Sequence, residues 1–71
     1  MKKFKEGKFY RHPSDLDTDI FVTRVIHDDG FTADLRVKYW SRTMLMSYGV
    51  EDVVNINSAN YDKWTERQDG R

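Results

Sequence analysis

The chain has no cysteine, one proline and four glycines, and its 12 Lys and Arg are matched by 12 Asp and Glu. Without cysteine there is neither a disulfide nor a thiolate metal site, a composition that suits a reducing cytoplasm. No apolar run approaches the roughly 18 residues that cross a bilayer, and the basic start Met1-Lys2-Lys3 is not followed by the apolar core of a signal peptide. The expected protein is therefore soluble, untargeted and without a membrane partner. The balanced charge argues against a dedicated nucleic-acid coat, which needs a strong basic excess. The four glycines, Gly7, Gly30, Gly49 and Gly70, are scattered, so no phosphate-cradling loop exists and each reads as a turn residue.

Ten residues, 31–40, alternate without a break. Phe31, Ala33, Leu35, Val37 and Tyr39 form one face, and Thr32, Asp34, Arg36, Lys38 and Trp40 form the other. This is the period of a half-buried strand, with Leu35 and Val37 as core. Trp40 is the misfit, a large ring ending a polar face beside two cations. Either another part of the chain covers it, Trp64 or the N-terminal segment, or a partner does.

Around this strand, residues 8–11, 20–27, 44–48 and 53–57 read as further strands. Asp28-Asp29-Gly30 marks a hairpin in which Gly30 takes a positive φ at no steric cost. Two hairpin registers compete. A two-residue turn pairs Val22 with Val37 and places Arg24 inside. A three-residue turn with a Gly30 bulge pairs Phe21 with Val37, Thr23 with Leu35 and Val25 with Ala33, and sets Arg24 beside Asp34. An unpaired buried guanidinium costs several kcal/mol, which favours the second register. That register leaves Ile20, Val22 and Ile26 on the face of Trp40, as a bent sheet covered on both sides requires. Ser58 or Asn60 is placed to cap a short helix carrying Tyr61 and Trp64. The fold expected is all-β: a small five-stranded antiparallel barrel with a C-terminal helical turn, one domain over residues 1–67 and a frayed tail at 68–71. A domain this small keeps roughly 3–5 kcal/mol of stability, and four Phe, four Tyr and two Trp are expected to supply it from one core.

The charges are segregated: basic in 1–13, acidic in 14–30, basic in 31–50, acidic in 51–71. Blocks of opposite sign are expected to lie together and neutralise. Asp15, Asp17 and Asp19 begin like a calcium loop, but Ile20 and Ile26 stand where such a loop needs Gly and Glu, so the segment reads as a solvated turn. His12 and His27 lack the spacing of a zinc site or a nucleophile system and read as ordinary edge residues. Met44 and Met46 read as core filling. No cofactor is expected, and no acid–base pair or nucleophile can be named, so the chain reads as non-enzymatic.

The basic–aromatic set remains. Arg36, Lys38 and Trp40 share a face, and the run Lys8-Phe9-Tyr10-Arg11 adds Tyr10 and Arg11 as candidate binding residues. Trp, Tyr and Arg are the anchors of protein interfaces, and stacking rings among cations also hold single-stranded nucleic acid. A protein partner is the first reading and single-stranded nucleic acid the alternative.

Two resemblances accompany these readings. Gly7-Lys8-Phe9-Tyr10 as an opening strand, residues 20–26 and 35–39 as middle strands, and Tyr48-Gly49-Val50-Glu51-Asp52-Val53 entering a late strand resemble the layout of Src-homology-3 and Tudor barrels. That layout implies a binding module. Tyr39, Trp40 and Tyr48 do not make up the full aromatic cage of a methyl-reading Tudor domain, so that function is not carried over. The stretches 4–13 (Phe-Lys-Glu-Gly-Lys-Phe-Tyr-Arg-His-Pro), 19–22 (Asp-Ile-Phe-Val), 35–40 (Leu-Arg-Val-Lys-Tyr-Trp) and 61–64 (Tyr-Asp-Lys-Trp) resemble short uncharacterised proteins of marine cyanophages. This resemblance implies a phage accessory protein working in a bacterial cytoplasm and brings no active site with it.

Overall fold

Two long β-branched segments flank the Asp28-Asp29-Gly30 turn, and together they build the centre of the molecule. The computed structural model describes residues 2–67. Its strands are β1 (Phe9–Arg11), β2 (Thr18–Asp28), β3 (Ala33–Ser41), β4 (Met46–Ile56) and β5 (Thr65–Glu66), with one helix, α1 (Ser58–Tyr61). They form one antiparallel sheet in the order β4-β3-β2-β1-β5. The five strands are not the five expected. The runs at 44–48 and 53–57 merge into the single strand β4, and the fifth strand is the two-residue β5. Among the described residues no helix is long and apolar enough to cross a membrane.

The sheet is not closed into the expected barrel. Its edges are β4 and β5, and β5 is too short to span toward β4. One face is covered instead by the N-terminal arm and α1. The core on that face is Phe4, Tyr10, Ile20, Val22, Ala33, Leu35, Val37, Ile56 and Tyr61, with Val25, Tyr39, Val54 and Trp64 packed against it. The ten aromatics are thus divided. Phe9, Phe21 and Trp40 stand on the opposite, outer face, and Phe31 and Tyr48 are exposed. Phe31 lies in the turn before β3 rather than in the strand.

The favoured register is not adopted, and the two-residue-turn register, with Val22 opposite Val37, holds only from Thr18 to Val22. Val22 pairs with Val37, Arg24 with Arg36, Val25 with Leu35, His27 with Asp34 and Asp28 with Ala33, with bulges between Val22 and Arg24 and between Val25 and His27. Each bulge inserts one residue into β2 and resets its alternation. Ile20, Val22, Val25 and Asp28 then face the core, while Arg24 and Ile26 are exposed. The two bulges resolve the conflict between burying Ile20 and Val22 and keeping Arg24 in water. They place Arg24 opposite Arg36 rather than beside Asp34.

Asp28 ties the three layers together. Its buried carboxylate accepts the N–H groups of Lys3 (3.2 Å) and Phe4 (3.1 Å) on one oxygen. The other oxygen accepts the Gly30 N–H (3.0 Å) and the Tyr61 hydroxyl (2.6 Å). Burial pushes the Asp28 carboxyl up, but these four donors outweigh it and hold it below its usual value. Burial and the facing carboxylate push the Tyr61 phenol up to about 12. Lys3 completes the lock by donating its ammonium to the carbonyl of Tyr61 (2.8 Å), the last residue of α1, and to that of Trp64 (2.7 Å) beyond it. The cap of α1 is Asn57, whose side chain accepts the Asn60 N–H, and neither Ser58 nor Asn60 plays that part. Trp64 lies past the helix.

Gly30 has φ 88°, as the turn signal requires. Asp29 shapes the same turn by accepting the N–H groups of Phe31 and Thr32, both at 2.8 Å. These bonds, those of Thr32 first, lower the Asp29 carboxyl to about 2. A depressed carboxyl contributes stability above its unfolded value, about 3.9, and that stability is lost as pH falls through the folded value. Asp15, Asp17 and Asp28 are shifted the same way. The melting temperature is therefore expected to hold level from neutral pH to about 4 and to fall between about 4 and 2. Asp29→Asn keeps the accepting oxygen but cannot titrate, so it is expected to shrink that fall. An acid limb identical to that of the parent chain contradicts this account of the turn.

Candidate functional site

Strand alternation decides which of the candidate residues meet. In β1, Phe9 and Arg11 point to the outer face and Tyr10 to the core. Tyr10 is 1% exposed, and its hydroxyl accepts the Lys5 N–H and donates to the Lys3 carbonyl. It is a core residue and not a contact residue, which corrects its place among the candidates. Arg11, Arg36 and Lys38 are exposed on the outer face, and Trp40 is half-buried there.

Trp40 is covered from the N-terminal side and not by Trp64. Its ring meets Phe9 edge-on at 6.1 Å, and Phe9 packs on its cross-strand partner Phe21 at 4.8 Å. Trp64 lies elsewhere, against His12 at 5.0 Å. Phe9, Phe21, Lys38, Tyr39, Trp40 and Ser47 line a cavity of about 260 Å³ open to solvent. The Trp40 indole N–H is buried and has no hydrogen-bond partner among the described residues. Directly opposite Trp40 in the register sits Asp19, wholly buried. Its carboxylate receives Arg67 at 2.9 Å and has Arg42 Nε at 3.5 Å. Arg67 also lies over the Phe9 ring at 4.9 Å. A buried charge needs such partners to remain in the fold.

The cations of this face fall into two groups. Arg67 is committed to Asp19, and Arg36 reaches Glu51 at 3.6 Å while Thr23 donates to the same carboxylate. Lys38, Arg11 and Arg24 have no ion-pair partner among the described residues. The expected neutralisation of charge blocks is thus realised at Asp19 with Arg42, at Arg36 with Glu51, and at Lys8 with Glu66 (3.9 Å), while Arg67 reaches Asp19 from within an acidic block. Three cations remain open beside the cleft strands.

The other clusters are structural. Asp15 accepts the N–H groups of Asp17 and Thr18, and Asp17 accepts Ser41 Oγ and the Thr43 N–H. Each carboxylate of the acidic segment is therefore committed to donors within the protein. A second cleft of about 370 Å³ is lined by His12, Ser14, Asp15, Val54, Asn55, Ile56, Asn60 and Trp64. Here His12 lies between Ser14 Oγ (2.8 Å) and Asn60 Oδ1 (3.2 Å). The order resembles a nucleophile, base and orienting group. The Ser14 N–H, however, donates to the same His12 Nδ1 at 3.1 Å. Competition for that lone pair, together with Asn60 Nδ2 bonded to Asn57 Oδ1 (3.2 Å), fits a brace joining the loop to α1. Asn60 had no signal in the sequence as a partner of His12.

Phe9, Phe21, Asp19 and Arg67 belong to the outer face and were not among the candidate binding residues, Phe9 entering only within the run 8–11 and Asp19 only in the rejected calcium loop. The reversal of Phe21 follows from the first β2 bulge, which strict alternation does not announce. No protein family, no curated protein and no solved structure matches the chain.

Proposed function

We propose that the protein is a non-enzymatic binding module that engages a partner protein through the outer face of its sheet. The observation that carries this reading is the cleft of Phe9, Phe21, Trp40 and Lys38, which stands on the face opposite the core. A half-buried Trp with a cation at its side is the chemistry of an interface anchor. The unsatisfied indole N–H supports it too, because a partner's carbonyl that displaced the ring slightly would give it an acceptor. The resemblance to cyanophage proteins suggests a bacterial host protein as the partner and the host cytoplasm as the place of action. The small-barrel layout stays with this reading, as an open sheet whose edges a partner completes.

Single-stranded nucleic acid is the second reading, favoured by the unpaired Lys38, Arg11 and Arg24 around a Phe9–Phe21 platform. Capture of host proteins by the immobilised chain tests the first. Trp40→Ala is expected to weaken capture by about 2 kcal/mol or more, while Lys38→Ala weakens it less and mainly at low salt. Circular dichroism should find the strands of Trp40→Ala retained, since the core lies on the other face. Capture unchanged by Trp40→Ala sinks the protein reading. Binding of mixed single-stranded oligonucleotides with a steep salt slope replaces it with the nucleic-acid one.

A further inference from the structure

The free surface of the sheet is of two kinds. At β4 and in the turn before it the surface is apolar: Met44, Leu45, Met46, Tyr48 and Val50 are exposed, the two methionines contrary to the core position expected of them. Across the outer face of β2 and β3 it is cationic. Arg24 stands directly opposite Arg36 in the register, and Lys38 follows Arg36 by two residues on the same side. All three are exposed. Like charges set opposite each other weaken a sheet, and here only Arg36 is relieved, by Glu51 at 3.6 Å. Among the described residues the carboxylates of this face are committed. Asp19 lies between Arg42 and Arg67, Glu51 takes Arg36 and the Thr23 hydroxyl, and Asp34 takes the Asn55 amide at 2.7 Å. The face therefore carries a surplus of positive charge in a chain whose total charge is zero.

We propose, on the premise that the outer face is the protein-binding site, that its occupant is an acidic segment of the partner. An apolar side chain of that segment sits on Phe9, Phe21 and Trp40, and an Asp or Glu one or two positions away is held by Lys38 and Arg24. The surplus charge adjoins the cleft directly, because Lys38 is the register partner of Phe21 and both line it. The cleft, about 260 Å³, is smaller than the roughly 300–1,000 Å³ of small-molecule pockets, so it suits a side chain of a larger partner. An extended segment advances about 3.4 Å per residue, and strand spacing sets the three cations about 5–7 Å apart at their backbones. A carboxylate next to the anchor therefore falls among them. Arg24 offers the planar fork that holds a carboxylate at two points, and Lys38 adds a point charge. The bound carboxylate also relieves the repulsion between Arg24 and Arg36. A nucleic-acid strand needs instead a line of cations that tracks its backbone. Here three cations gather on one side of Phe21, and the buried Asp19 lies on the other.

Fluorescence-anisotropy titrations of the whole chain with short labelled peptides test this. One peptide carries Phe flanked by Asp and Glu, a second has Asn and Gln in their places, and a third has Lys and Arg. Single-stranded oligothymidine is the fourth probe. The acidic peptide is expected to bind roughly tenfold or more tightly than the amide peptide, with the advantage shrinking in salt. Arg24→Glu should abolish that advantage and turn the preference toward the basic peptide. Its urea midpoint should be no lower than that of the parent chain, since the substitution replaces a like-charge pair by an opposite one. Trp40→Ala should weaken the acidic and amide peptides alike. Equal binding of those two peptides, both weakened by Trp40→Ala, keeps the outer face as the site and overturns its preference for acid. Acidic-peptide binding that neither variant changes removes the outer face and the preference together. Binding of oligothymidine in place of the peptides overturns the proposal, as does binding of no peptide at all, while protein capture sensitive to Trp40→Ala then leaves the wider reading standing.

Discussion

Asp28→Ala is expected to leave the domain largely unfolded at room temperature. The substitution removes the carboxylate that accepts four hydrogen bonds, from the N–H groups of Lys3, Phe4 and Gly30 and from the hydroxyl of Tyr61. A hydrogen bond to a charged group contributes about 1.5–3 kcal/mol, so the loss of four costs at least about 4 kcal/mol. A domain of this size holds roughly 3–5 kcal/mol in all. The loss is also structural in kind. The N-terminal arm that carries Phe4, the turn at Gly30 and the helix that carries Tyr61 are held by this one side chain. Tyr61→Phe removes a single bond to a charged acceptor and should cost less, about 1.5–3 kcal/mol. Urea denaturation of the two variants measures the ratio. Equal and small effects would mean that the arm and α1 are held by packing alone.

Leu35→Ala is expected to cost about 2–5 kcal/mol, the range for a large buried side chain whose cavity cannot collapse. Leu35 is fully buried between its cross-strand neighbours Val25 and Val54. Since three strands and the covering arm meet there, little can relax into the space. Met44→Ala provides the contrast. Its side chain is in solvent, and the change should stay within about 0.5 kcal/mol. Both residues looked like core in the sequence, so the pair separates the alternation of β3 from the mere hydrophobicity of the 44–46 segment. A Leu35→Ala denaturation midpoint close to that of the parent chain would place β3 wrongly in the sheet.

The same contrast runs through the whole molecule. In β3 the hydrophobic period alone determined the strand, its inward residues Ala33, Leu35 and Val37, and the outward set Arg36, Lys38 and Trp40, because a period of two leaves only one face to bury. The positive φ of Gly30 was likewise local, since the turn admits few residues there. In the acidic segment the turn at Asp15 was legible from its composition, but the segment is not solvated throughout: Asp19 is wholly buried in β2 between Arg42 and Arg67, which the sequence did not announce. What lay beyond the sequence depends on neighbours distant in the chain. The two bulges of β2 exist because Ile20 and Val22 must be buried while Arg24 must not, and only the assembled sheet weighs those demands together. Whether Phe9 or Tyr10 faces inward is undecidable in a three-residue strand until Phe21 and Ile20 lie beside them. The role of Asp28 needed Lys3, Phe4, Gly30 and Tyr61 gathered from four places. The exposure of Met44, Leu45 and Met46 followed from β4 becoming an edge. An apolar residue is core only where the fold supplies a second layer, and that layer ends before β4 does.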